Sequence, residues 1–154
     1  MDIATRFIDF TRGADFLAPG AGAGLVSDDG LETAVILSLF TDRQAQPDDP
    51  LPGREDDRRG WWGDAFPDVP GDRIGSRLWL LWREKQTSAN LVRAELYATE
   101  ALAWLVADGV ARSVDVVASI PRNGVLGLDI AISRPASPPV KYRFDRFWRG
   151  GDAI

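Results

Sequence analysis

The sequence contains no cysteine and no histidine. The first absence excludes disulfides, thiolate metal sites and cysteine nucleophiles, and suits a chain made in a reducing cytosol. The second removes the commonest general base and transition-metal ligand together. Long apolar runs are missing as well. The longest, Ala34–Leu37 and Ala101–Ala107, fall far below the ~20 residues a membrane span needs. No signal-peptide pattern opens the chain, since Met1, Asp2 and Ile3 are soon followed by Arg6 and Asp9. A soluble protein without a membrane partner is the expectation. Excess positive charge is lacking too: the net charge is −5, and an acidic sign argues against nucleic acid as the main partner.

What is present is ordinary in amount and uneven in placement. The 154 residues predict one domain, spanning 1–154, with an apolar share of 45% and a charged share of 27%. Residues 1–72 carry 15 acidic and 6 basic side chains, whereas 121–149 carry 6 basic and 2 acidic ones. Either the basic segment docks on an acidic protein face, or these are scattered solvated charges. Sixteen of the 18 basic residues are arginine, which favours bidentate carboxylate pairing, although genomic base composition gives the same bias.

Residues 1–27 read as an extended arm, with Pro19, Gly20, Gly22 and Gly24 crowded together and Phe7, Ile8 and Phe10 as anchors. A helical part follows over 28–109. Its first helix begins at Leu31, with Asp29 as cap and Glu32 three residues on. The run Ala34-Val35-Ile36-Leu37 with Leu39 and Phe40 is broad, so this helix is buried on most sides; a strand is the competing reading. Residues 43–75 form a long aromatic loop with five prolines, five glycines and no period. Ser76 caps a second helix to about Lys85. Thr87 or Ser88 caps a third, ending at Gly109, with Leu91, Ala94, Ala98, Ala101, Leu102 and Leu105 at 3–4 residue spacing. Over 110–149 the period becomes two. Val114, Val116 and Ala118 form one face; Asn123-Gly124 is a hairpin turn; Leu126, Leu128, Ile130 and Ile132 form the next face; Val140–Arg146 is a third strand. The expected class is α+β: three helices packed on a small antiparallel meander.

Catalytic constellations are weak. The pairs Asp28/Asp29, Asp48/Asp49 and Asp56/Asp57 sit in polar glycine- and proline-rich segments, where solvated charges or helix caps explain them better than a glycosidase acid and nucleophile. The calcium-loop alternation and the G-x-S-x-G elbow are absent, and Gly20-Ala21-Gly22-Ala23-Gly24 lacks the Lys-Ser/Thr of a phosphate loop. No catalytic, cofactor or metal residue is assigned. The centre of the loop, Arg58-Arg59-Gly60-Trp61-Trp62-Gly63-Asp64, is richer in meaning. Tryptophan and arginine are enriched at interface hot spots, so Arg58, Arg59, Trp61, Trp62 and Asp64 are candidate contacts, unless the rings fold back as a lid. The last strand supplies Tyr142, Phe144 and Trp148 as further candidates. Its edge is open to another chain, or else protected by Lys141, Arg143 and Asp145.

Beyond these readings, the chain resembles the Mu-like phage baseplate wedge family, similar in role to sheath-initiator proteins of contractile tails. The resemblance rests on Asp28–Val35 with Ser38–Asp42, on Asp57–Asp64, on Gly75–Leu81, and on Tyr97–Leu105 with Asp108–Ala111. It spans about residues 15–148. It implies a non-enzymatic virion protein of the tail baseplate, assembled in the host cytoplasm and present in multiple copies around the tail axis. The implied partners are the other baseplate wedge proteins, the tail tube or spike hub, and the tail sheath protein. The alternatives are a lysozyme-like tail enzyme that degrades peptidoglycan through Glu32 or Glu100 with an aspartate, and a small cytosolic protein-binding module.

Overall fold

The structure, a computed structural model, describes residues 31–53 and 56–148, and, as backbone only, the strands at 2–3, 5–9, 13–16 and 27–28. Those strands are β1 (Asp2–Ile3), β2 (Thr5–Asp9), β3 (Gly13–Phe16) and β4 (Ser27–Asp28); β1 pairs antiparallel with β4, and β2 with β3. The expected anchoring by Phe7, Ile8 and Phe10, the Asp29 cap and the glycine run at 20–24 lie outside the described residues.

Helix α1 spans Glu32–Phe40, and Leu31 holds the N-cap position in the left-handed region at φ 72°. Successive helix residues turn by 100°, which sets Leu37 opposite the inward group Val35, Ile36 and Leu39. Those three are buried, while Leu37 is 51% exposed. Helix α2 (Ser88–Leu102) is capped by Thr87, whose Oγ1 accepts the Asn90 amide hydrogen at 3.2 Å. A turn at Ala103 separates it from the short α3 (Trp104–Ala107), and Gly109 follows in the left-handed region at φ 72°. The alanines at 94, 98 and 101 face inward with Leu102 and Leu105.

Between α1 and α2 the structure departs from the expected second helix over 76–85. A single 3-10 turn, Leu78–Leu81, stands there, and all four of its side chains are buried. A helix with apolar residues on every side at one turn has no polar face to extend along a surface. The segment instead acts as a plug. Ser76 starts it by accepting the Leu78 amide hydrogen at 3.2 Å while its hydroxyl donates to the Leu39 carbonyl.

Strands β5 (Ser113–Arg122), β6 (Val125–Ser133) and β7 (Val140–Phe147) form an antiparallel sheet in the order β5-β6-β7, with Asn123-Gly124 as the first turn. The register aligns Val116 with Ile130 and Ile130 with Tyr142. Leu126, Leu128, Ile130 and Ile132 are all buried, as their shared parity predicts, and they pack with α1 and α2 in one apolar cluster. Each such leucine or isoleucine contributes about 1.5–3 kcal/mol by leaving water. The described elements thus combine helices with an antiparallel sheet, an α+β arrangement.

The two outer edges of this sheet differ. On β5 the Ala118 amide donates to Glu95 Oε1 of α2 at 2.9 Å, so a helix side chain occupies that margin. On β7 no strand pairs with the outer margin among the described residues.

Candidate functional site

Order in the aperiodic loop comes from its neck inward. Asp42 and Ser76 form a parallel bridge: the Arg43 amide donates to the Ser76 carbonyl at 3.0 Å and the Ser76 amide to the Thr41 carbonyl at 2.9 Å. Gly75 makes this closure possible, with φ at 94°, where a Cβ would stand 2.4 Å from the Thr41 oxygen. Inside the neck, arginines hold the chain. Arg58 donates to the carbonyls of Gln46 and Pro47, the second at 2.9 Å. Arg59, at φ 52°, pairs with Asp42 at 2.7 Å and lies 4.5 Å over the Trp79 ring.

Arg77 ties the loop to α2. One guanidinium nitrogen reaches both Asp49 oxygens at 3.0 Å, two others reach Glu100 at 2.7 and 3.0 Å, and the group lies over the Tyr97 ring. Burial alone would lower its pKa, but the hydrogen bonds and charges of Glu100 and Asp49 outweigh that and raise it above the usual arginine value.

On this frame stands the 3-10 turn Trp62–Ala65. Gly63 lets the Trp61 ring fold across the backbone, since a Cβ there would fall 2.0 Å from the ring. The two indoles meet at a centroid distance of 5.4 Å and a tilt of 44°. Trp61 is 43% exposed, Trp62 78% and Phe66 83%. These rings face Leu37 of α1 and Trp104 of α3 across an open groove of about 1050 Å³. Trp104 is fixed from below by its indole N–H, which donates to Ser38 Oγ at 3.0 Å. Asp64, Asp68, Asp72 and Asp108 line the same groove with one cation, Arg73. Asp64 takes the Ile74 amide hydrogen on Oδ1 at 3.2 Å, while its Oδ2 is buried without a partner.

The residues singled out from sequence therefore divide. Trp61, Trp62 and Asp64 come together at the groove, whereas Arg58 and Arg59 brace the loop beneath it. Phe144 and Trp148 are inside the fold: Phe144 packs edge-on against Phe40 at 5.5 Å, and the Trp148 indole donates to the Glu84 carbonyl at 2.6 Å. Tyr142 is half-buried and stacks along Phe144. On the opposite face, Arg143 bridges Asp129 and Asp145. Leu37, Trp104 and the aspartates at 68, 72 and 108 were not singled out. Helical projection of α1 gives Leu37 away; only the folded loop brings the aspartates together.

Of the carboxylates considered for catalysis, Glu100 is held by Arg77 and Arg43, Asp49 by Arg77, and Asp57 accepts the Arg59 amide hydrogen at 2.8 Å. Each has a structural partner. Among the described residues no group of three or more carboxylates is placed to hold a metal ion, and no helix is long and apolar enough to cross a membrane.

Comparison with known proteins gives concordant matches. A family described as Phage protein GP46 matches residues 31–139. The baseplate protein gp46 of Escherichia phage Mu is 47% identical over 129 residues, covering 84% of this chain and 87% of that protein. The Mu-like prophage FluMu protein gp46 of Haemophilus influenzae is 44% identical over 124 residues, covering 80% and 83%.

Proposed function

The chain belongs to the GP46 family of phage proteins, and from that premise we propose that it is a structural subunit of a phage-type tail baseplate that works by binding neighbouring proteins. The observation that carries the mechanism is the aromatic groove. Trp62 and Phe66 hold most of their surface in water on a loop braced from beneath, a combination that costs solubility and is repaid only by a partner. The supposed partners are other wedge proteins and the central tube or hub. Among the described residues no strand covers the outer margin of β7, which supports a second contact, strand addition by the tail sheath protein, whereas on β5 Glu95 already takes the Ala118 amide hydrogen. Turnover is not part of this reading: the carboxylates a lysozyme-like site would draw on include Glu100, which is committed to Arg77 and Arg43.

The test is the double substitution Trp61→Ala/Trp62→Ala. The expected outcome is a folded chain by circular dichroism that no longer enters assembled baseplates. Unfolding would assign the rings to the core, and normal incorporation of a folded variant would reject the groove as a contact.

A further inference from the structure

The groove carries more information than its apolar floor, because its rim has a sign. Asp64, Asp68, Asp72 and Asp108 stand around it against Arg73 alone, and Asp68, Asp72 and Asp108 make no ion pair with the described residues. Four like charges gathered at one opening repel one another and attract positive charge. The lining adds the rings of Trp61, Trp62 and Trp104, and indoles are the side chains on which a guanidinium stacks best. The groove is open rather than enclosed, which suits a chain segment better than a small molecule, whose sites usually bury most of its surface.

Resting on the baseplate reading above, we infer that this groove receives an arginine-bearing apolar segment of another protein. Its large apolar side chains seat between Leu37 and the Trp61–Trp62 pair, and its guanidinium groups pair with the rim aspartates. The same rim repels nucleic-acid phosphates and anionic lipid surfaces. A second copy of this chain is the competing occupant, since its residues 121–149 are net basic.

Three short synthetic peptides test this against the full chain: one amphipathic in leucine and arginine, one with glutamate for arginine, one with serine for leucine. Binding is read by tryptophan fluorescence and calorimetry. The leucine/arginine peptide should bind, the other two should bind at least about tenfold more weakly, and added salt should weaken the first. The variant Asp68→Asn/Asp72→Asn/Asp108→Asn should lose about tenfold in affinity while keeping its unfolding midpoint, because these side chains are exposed. Equal binding of the glutamate peptide, or unchanged binding by the triple variant, overturns the inference. Self-association of the chain in sedimentation, abolished by that variant and without peptide binding, assigns the groove to a second copy instead. Baseplate incorporation separates the two levels. A triple variant that enters baseplates while the tryptophan double variant does not rejects the basic partner alone; entry of both rejects the groove as a contact.

Discussion

The β5-β6-β7 sheet and the 43–75 loop reach order by opposite routes. In the sheet, a period-two pattern sends Leu126, Leu128, Ile130 and Ile132 into a common core, and the backbone hydrogen bonds follow as ladders. The loop has no period and few buried apolar groups, and its backbone is fixed by guanidinium groups that reach carbonyls and carboxylates across it. The sheet hides the hydrophobic residues of its inner face because hiding them is what folds it, and among the described residues it leaves only Val117 and Ile120 of β5 exposed. The loop, held by polar bonds, is free to leave Trp62 and Phe66 in water. Apolar surface on a segment whose folding does not depend on it is surface available to a partner.

Three experiments press on this contrast. The largest effect belongs to the sheet: Ile130→Ala should cost about 3 kcal/mol, read as a lower urea midpoint with an unchanged slope, because a filled core site is emptied. A loss below that of a surface change would mean the core is not centred on β6. Arg77→Ala should cost about 2 kcal/mol, since it frees Asp49 and Glu100 together, and should in addition raise hydrogen exchange in the loop amides near Asp49 more than in the sheet. Equal loosening of both regions would show that they are one cooperative unit. The smallest effect on stability comes from labelling, made easy by the absence of cysteine. A bulky thiol label on Lys141→Cys should leave the unfolding midpoint within about 0.5 kcal/mol of the parent and block sheath addition, while the same label on Val117→Cys of β5 should do neither. Matching behaviour of the two labels would erase the distinction between the sheet's margins.

The sheet was legible because its rule is local: alternation, the Asn-Gly turn and the three-strand order all follow from residues near one another. The cap by Thr87 and the inward face of α2 were legible for the same reason. The plug at Leu78–Leu81 was not, since an apolar run bordered by a serine looks like a helix start until the space it fills is known. The burial of Phe144 and Trp148 was hidden for a different reason. An edge strand offers its backbone to a partner, but its side chains still alternate, and the even positions of β7 point into the core. At the loop, the tryptophan pair stands out in the sequence but its exposure does not, and the roles of Arg58, Arg59 and Arg77 depended on carbonyls and carboxylates up to 28 residues distant.

The narrow neck at Asp42 and Ser76 gives the loop an unusual freedom to change. Its two ends are clamped side by side, so residues added or deleted away from the Asp49, Arg58 and Arg59 braces are absorbed without moving α1 or the plug. Doubling the enclosed length costs only about 0.6 kcal/mol of closure entropy. Between its braces such a segment can lengthen or shorten like a spacer, while the stretch Asp57–Asp64 that carries the rings stays on the same mount.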